Sequence, residues 1–129
     1  FNFIVGNEDM HVKNFSLITR DGKVGLAPAY DYLSTTVAFL SIGKRLDQIE
    51  EIALPLQGKK RGLTRNTWVE YFAHERLALP DKIVGKVLAD LQSAVPVWKA
   101  CLAESFLPPE HQTLYTRLLD QRLEVLGIA

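Results

Sequence analysis

The helical spacing of apolar residues in the second half of the chain constrains the fold most strongly. Six of them recur at three- and four-residue steps: Ile83, Val84, Val87, Leu88, Leu91 and Val95. This spacing gathers them into one stripe along a helix and leaves Lys82, Lys86 and Asp90 exposed. Because such a stripe has to be covered by other elements, the C-terminal half is predicted to be a helical bundle.

Prolines and a capping residue divide this half into about four predicted helices. Thr64 is a suitable N-cap for the first helix, which is expected to stop before Pro80. Pro80 opens the second helix, and Pro96 is expected to begin a third, because proline is well tolerated in a first helical turn. The Pro108-Pro109 pair ends that helix, and the last one ends near Gly127.

The first half has a different pattern, with short apolar runs separated by polar loops. Asp21-Gly22 lies between the runs 15–19 and 24–26, and this dipeptide between apolar runs is typical of a β-hairpin turn. Residues 33–42 are β-branched, aromatic and small without a helical period, which favours an extended stretch, and 52–56 is another candidate. The predicted fold class is therefore mainly α (α+β), with a hairpin-bearing segment followed by a helical bundle.

Composition favours one globular domain over residues 1–129. The chain is 47% hydrophobic, and its fifteen Lys and Arg balance fifteen Asp and Glu, so no overall field draws it to nucleic acid or to a membrane. A lone cysteine, Cys101, cannot form an internal disulfide. No apolar run approaches the roughly 20 residues that span a bilayer. These features favour a cytoplasmic protein.

Two polar segments carry the residues suited to chemistry. Residues 6–16 have the sequence Gly-Asn-Glu-Asp-Met-His-Val-Lys-Asn-Phe-Ser, and residues 27–34 have Ala-Pro-Ala-Tyr-Asp-Tyr-Leu-Ser. Phosphoryl transfer needs a carboxylate that orients the attacking hydroxyl, and oxygen ligands that hold magnesium against the phosphates. Asp9, Asn14 and Asp31 can supply these parts.

The predicted hairpin brings two of these residues near each other. A two-residue turn at Asp21-Gly22 pairs Arg20 with Lys23 and, further out, Asn14 with Ala29. If the extended geometry persists to Asp31, that side chain projects to the same side as Ala29, within about 7–8 Å of Asn14. One magnesium ion would then bridge both.

Two motifs resemble those of a known family. Asp9 precedes Asn14 by five positions, the offset between the base and the metal-binding asparagine in the protein-kinase catalytic loop. Gly6-Asn7-x-Asp9-x-His11-x-Lys13-Asn14-Phe15-Ser16 and Ala29-Tyr30-Asp31-x-Leu33-Ser34 resemble the catalytic and metal-binding motifs of HipA-like kinases, the toxins of bacterial toxin–antitoxin pairs. Segment 54–60 and the helical tail are similar too. The resemblance implies a protein-kinase-like C-lobe in which Asp9 is the catalytic base and Asn14 and Asp31 bind Mg2+.

The resemblance also implies a co-substrate and partners. His11, Lys13, Asn14 and Tyr30 would line the nucleotide, with ATP as co-substrate. Members of the family phosphorylate components of translation, notably aminoacyl-tRNA synthetases, and are neutralised by a DNA-binding antitoxin. A Gly-rich phosphate loop and a strand lysine paired with a helical glutamate, which belong to the N-lobe, do not occur in these residues. We therefore expect a C-terminal portion of a serine/threonine kinase, inactive without its N-lobe half.

Several other interpretations of the same residues compete. Asp and Asn are common turn formers, so Asp9, Asn14 and Asp31 could simply shape loops. Lys13 either binds phosphate or holds Asp9 through an ion pair. Direct DNA contact through Lys59-Lys60-Arg61 is a further hypothesis, although such a cluster of basic residues is more often a solvated connector.

Two other functional classes compete with a kinase. One is a non-catalytic helical module that docks an antitoxin or another protein. The other is a metal-dependent phosphohydrolase, which is the least favoured, because two-metal hydrolytic sites need more carboxylate and histidine ligands than this sequence groups together.

Overall fold

The computed structural model describes residues 1–129 and is mainly helical, as predicted. Its α-helices are α1 (Asn2–Val5), α2 (Thr35–Ser41), α3 (Asp81–Ala103) and α4 (Pro109–Leu126). A π-helical segment spans Thr67–Arg76, and 3-10 turns occupy Val12–Asn14 and Leu46–Gln48. The two strands, β1 (Leu17–Arg20) and β2 (Lys23–Leu26), form one antiparallel hairpin.

The hairpin has the predicted turn and register. Asp21 and Gly22 have φ angles of 51° and 72°, and a two-residue type I′ turn requires positive φ at both central positions. Arg20 pairs with Lys23, and the ladder ends where Leu17 pairs with Leu26. Both strands are largely exposed, so local turn chemistry specifies this element more than burial does.

Helix α4 lies at the centre of the core and contacts α1, α2 and α3. Its buried leucines are Leu118, Leu119, Leu123 and Leu126, which recur at helical spacing. The core that packs with α4 includes Phe3, Ile4, Ile52, Leu63 and Leu102. The last helix therefore supports the N-terminal segment that carries the candidate catalytic residues.

Pro96 does not begin a new helix, and that prediction was wrong. It lies inside α3, which runs unbroken for 23 residues, so three helical segments rather than four follow Gly62. Apolar residues on both sides of the proline pack against the same core: Leu91, Val95, Trp98 and Leu102. Their burial outweighs the roughly 3 kcal/mol that an internal proline costs. Although α3 is long, no helix of the chain combines the length and the apolar character needed to cross a membrane.

The prediction of an extended stretch over residues 33–42 was also wrong, because these residues contain helix α2. Thr36 and Val37 are buried on the side of α2 that meets the rest of the chain, and α2 packs on α4. Tertiary packing has overridden the β propensity of these residues. Residues 52–56 form no strand either; only the bridge between Leu56 and Lys59 is strand-like.

Candidate active site

Gly6 fixes the beginning of the loop that carries Asp9. It ends α1 with a left-handed φ of 71°, and a Cβ atom there would lie 2.6 Å from Leu118 Cδ2 and 2.9 Å from Thr36 Cβ. Only glycine fits this position without a clash. The Gly6 carbonyl accepts a hydrogen bond of 3.0 Å from the Thr36 amide. The loop therefore starts at a point held between α2 and α4.

Thr35, the first residue of α2, makes a second anchor for this loop. Its Oγ1 accepts a hydrogen bond from the Glu8 amide at 3.0 Å and donates one to the Gly6 carbonyl at 3.3 Å. One side chain thus supplies the partner of the Glu8 amide and adds a second donor to the Gly6 carbonyl, which also accepts from the Thr36 amide. This anchoring holds the backbone on both sides of Asn7.

The carboxylate of Asp9 is exposed and lies beside a histidine. His11 Nε2 is 3.6 Å from Asp9 Oδ1, and 65% of the Asp9 side chain is accessible. Lys13 forms no ion pair with Asp9 or any other carboxylate, so the interpretation in which it holds Asp9 was wrong. Its exposed ammonium stays free to meet an anion.

Asn14 is joined to Asp9 across the turn that separates them. Its Nδ2 donates a hydrogen bond of 2.9 Å to the Asp9 carbonyl oxygen. The amide nitrogen is therefore occupied, whereas Oδ1 makes no hydrogen bond within the chain. That oxygen remains available as a ligand.

Asp31 has a left-handed backbone, with a φ of 60°. The expectation that extended geometry persists from β2 to Asp31 was wrong, because the strand ends at Leu26 and this φ turns the chain. The Asp31 carbonyl accepts a hydrogen bond of 3.1 Å from Asn7 Nδ2. Its carboxylate is exposed and has no partner in the chain.

Tyr30 lines a small pocket together with Asn14. Its hydroxyl is 2.8 Å from Ser16 Oγ, and the two can share a hydrogen bond. Asn14, Ala29 and Tyr30 line the same pocket, which has a volume of about 120 Å³. His11 and Lys13 do not line it. The structure thus brings Asn14 and Tyr30 together at this pocket. His11 lies beside Asp9 instead, and Lys13 also lies outside the pocket.

The oxygen atoms that make no hydrogen bond in this site suit magnesium better than a softer metal. Asn14 Oδ1 and the Asp31 carboxylate are oxygen donors, and Mg2+ is usually held by one or two carboxylates together with waters and phosphate oxygens. No three His, Cys, Asp or Glu side chains converge in this chain. A site here would therefore depend on the asparagine and on oxygens supplied by a bound phosphate.

Asn7 belongs to the site, although the sequence alone assigned it no role. Its side chain is buried, with 2% exposed, and its Oδ1 accepts a hydrogen bond of 3.1 Å from the Asp9 amide. Its Nδ2 binds the Asp31 carbonyl, so one side chain touches the backbone of both carboxylate residues. The signal available in the sequence was the Asn-x-Asp spacing, which is typical of an Asx-turn.

Glu8 is the loop residue whose ionisation the fold disturbs. Partial burial raises the pKa of its carboxyl, the negative charge of Glu50 raises it further, and Lys44 opposes the rise. Glu8 therefore carries its charge at a cost to the folded state.

The side chains of the basic connector, Lys59-Lys60-Arg61, mostly make contacts within the chain. Lys60 Nζ lies 2.9 Å from a carboxylate oxygen of Glu50, and Arg61 donates a hydrogen bond of 3.0 Å to the Asp47 carbonyl. Lys59 is exposed. Two of the three cationic side chains of the connector, those of Lys60 and Arg61, therefore bind the preceding loop. This arrangement fits a structural role for the connector.

Comparison with known proteins identifies the family. In Sinorhizobium fredii (strain NBRC 101917 / NGR234), the protein named Putative kinase Y4mE is 45% identical over 58 residues, which cover 39% of this chain and 14% of that protein. Putative kinase Y4dM of the same strain is 56% identical over 36 residues, covering 27% of this chain and 9% of that protein. The chain thus aligns with only a small part of each relative. Residues 1–98 match the HipA-like C-terminal domain, and the chain belongs to that family.

Proposed function

We propose that this chain supplies the catalytic loop and metal ligands of an ATP- and magnesium-dependent protein serine/threonine kinase. Asp9 is the catalytic base, and Asn14 and Asp31 bind magnesium. The observation that carries the proposal is the bond from Asn14 Nδ2 to the Asp9 carbonyl. It leaves the asparagine oxygen unbonded in the same short turn that presents the exposed Asp9 carboxylate, and phosphoryl transfer requires both kinds of group.

The exposed Asp9 carboxylate orients the attacking hydroxyl of a protein substrate and accepts its proton. His11 Nε2, 3.6 Å from that carboxylate, helps to hold its position. The unpaired Lys13 ammonium meets the phosphates, because it has no carboxylate partner to neutralise it. Magnesium, when bound, would offset the negative charge of the phosphates.

Tyr30 and Asn14 line one wall of the nucleotide site in this proposal, and His11 and Lys13 the other. Tyr30 is held through its hydroxyl by Ser16, so its ring presents a fixed face to a ligand. The residue is 42% exposed, which leaves surface for a nucleotide to cover. The small pocket that Tyr30 lines is also lined by Asn14.

The wider function follows from the family resemblance. Residues 1–129 act as a protein-kinase-like C-lobe, and the phosphate-covering loop and the strand lysine come from an N-lobe half. The protein substrate is a component of translation such as an aminoacyl-tRNA synthetase, and a DNA-binding antitoxin restrains the enzyme. The 129 residues alone then bind ATP weakly and transfer no phosphate.

A second candidate function is a non-catalytic module that docks an antitoxin or another protein. The observation in its favour is the exposure of apolar side chains on the hairpin: Leu17, Val24 and Leu26. Such side chains on an uncovered strand pair are suited to contact with a protein. A docking module would have no need of the free oxygens at Asn14 and Asp31.

Manganese, a paramagnetic substitute for magnesium, tests the proposal on this chain directly. Low concentrations of Mn2+ should broaden the amide resonances of Asn14 and Asp31 before those of the helical bundle. Asp31→Asn should weaken this broadening, because it removes a charged ligand. Asp21→Asn, at the exposed hairpin turn, removes the same charge elsewhere and should leave it unchanged. Equal effects of the two variants, or no selective broadening, would overturn the metal assignment.

A further inference from the structure

The side chain of Asn7 connects the two loops that hold Asp9 and Asp31. Its oxygen accepts from the Asp9 amide, and its nitrogen donates to the Asp31 carbonyl, each at 3.1 Å. The second bond joins residues 24 positions apart in the sequence. No hydrogen bond other than this one reaches Asp31.

The orientation of the Asn7 amide is forced by its two partners. A flipped amide would place its oxygen against the Asp31 carbonyl and its nitrogen against the Asp9 amide, so neither bond could form. The side chain is 2% exposed, and water cannot replace a lost partner there. Asn7 therefore specifies one spacing between the two backbones.

Few other contacts restrain the two aspartates relative to each other, because Asn14 and His11 hold Asp9 only within its own loop. Asp9 and Asp31 project from loops with exposed side chains, and a largely exposed hairpin separates them in the sequence. Thr35 holds the backbone at Gly6 and Glu8 but contacts neither aspartate. The relative position of these aspartates therefore depends on Asn7 more than on the surrounding packing.

We infer that Asn7 is a positioning residue that sets the distance between the catalytic base and the metal ligand. This inference rests on the proposed function. Catalysis by a base and a metal is sensitive to small displacements, and side chains that orient metal ligands affect metal affinity strongly. A residue that only stabilised the loop would affect folding and leave the kinetics of the folded enzyme unchanged.

Two substitutions in the full-length protein that carries this chain separate the two bonds. Asn7→Leu keeps the branched shape of the side chain, although leucine is larger, and removes both. Asn7→Ser retains an oxygen that can accept from the Asp9 amide, as in an ST-turn, but is too short to reach the Asp31 carbonyl. Thr67→Val is the control, because it removes a buried hydroxyl that bonds to Thr64, far from the aspartates in sequence.

The measurements are kcat at saturating magnesium and the magnesium concentration at half-maximal rate, at a temperature where circular dichroism shows each variant folded. Asn7→Leu should lower kcat by roughly 100-fold and raise the half-saturating magnesium concentration by about 10- to 100-fold. Asn7→Ser should keep a higher kcat than Asn7→Leu, but it should still require more magnesium than the wild type. Thr67→Val should change neither.

The inference is overturned if the wild type transfers phosphate and Asn7→Leu, still folded, matches it in both quantities. It is also overturned if Thr67→Val and Asn7→Leu change the kinetics equally, because the effect would then reflect general destabilisation. A wild-type protein without magnesium-dependent transfer would instead contradict the proposed function itself.

Discussion

Arg122 of α4 and Glu51 form a buried ion pair, in which Nη1 lies 2.6 Å from Oε1 and only 5% and 14% of the side chains are exposed. The other carboxylate oxygen of Glu51 accepts a hydrogen bond from the Leu63 amide at 2.9 Å. The guanidinium carbon also lies 4.5 Å from the centre of the Phe3 ring, in α1. The pair therefore joins α4 to the loop before the π-helical segment and to α1, the helix that leads into the loop of Asp9.

Replacing Arg122 by Met should destabilise the chain by about 3–5 kcal/mol, because it leaves the Glu51 charge buried without its partner. Urea unfolding followed by circular dichroism measures the change. The matched control is Arg45→Met, since Arg45 also lies 2.6 Å from a carboxylate, that of Asp47, but both side chains are exposed. That control should cost less than about 1 kcal/mol. Equal losses would show that burial does not govern the Arg122 pair.

Gly6→Ala should destabilise the chain through a clash as well as through backbone strain. The left-handed backbone costs an alanine about 1–2 kcal/mol, and the contacts with Leu118 and Thr36 should add roughly 1–3 kcal/mol of overpacking. Gly58→Ala isolates the first contribution, because Gly58 has a φ of 72° and no atom lies within 4 Å of the position that a Cβ would take there. Thermal unfolding of the two variants gives the comparison. Similar losses at the two sites would mean that the neighbours of Gly6 simply move aside.

Glu8→Gln should stabilise the chain at pH 7. Burial raises the pKa of Glu8 in the folded state, so the folded protein loses stability as pH rises through the unfolded and then the folded pKa. Below both values the carboxyl is protonated in both states and the penalty vanishes. The advantage of the glutamine should therefore shrink as pH falls from the raised folded pKa towards about 4, and should be absent below that pH.

Denaturant unfolding of Glu8→Gln at neutral and acidic pH checks this sign. Glu75→Gln, on the exposed face of the π-helical segment, controls for the loss of one negative charge. A gain for Glu8→Gln that stays constant across the pH range would show that the stabilisation has another source than the shifted pKa.

Local chemistry explains what was predictable from the sequence. The Asp21-Gly22 turn needs only its own two residues, and its register was predicted correctly. The apolar spacing of α3 was equally clear, although two members of the predicted buried stripe, Ile83 and Val87, are exposed. The continuity of α3 through Pro96 depends on packing against α4 and the rest of the core. Helix α2 depends on packing in the same way.

The site shows the same division between local and distant causes. The Asp9 and Asn14 offset lies within one turn, so a motif could reveal it. The link from Asn7 to Asp31 depends on burial and on a left-handed backbone at Asp31, and neither is visible in a linear sequence. Residue spacing along an extrapolated strand therefore could not place Asp31.

Asp9→Asn in the full-length protein should abolish most phosphate transfer while leaving ATP affinity nearly unchanged. Asp9 is proposed to act on the hydroxyl of the substrate, and a positioned base contributes roughly 10²- to 10⁴-fold to the rate. Asparagine keeps the backbone amide that Asn7 binds and the carbonyl that Asn14 binds. Turnover and ATP titration by calorimetry separate the two effects. A large loss of ATP affinity would reassign Asp9 to the metal site.

Asp31→Asn should respond to magnesium differently from Asp9→Asn. Its carboxylate is proposed to reach the phosphates only through the metal, so ATP affinity should fall chiefly when magnesium is present. Raised magnesium or manganese should restore part of the activity, because mass action refills a weakened site. The Asn7 bond survives in this variant, since it uses the Asp31 carbonyl rather than the side chain. Turnover of both variants over a magnesium titration is the measurement, and equal responses would contradict the separation of base from metal ligand.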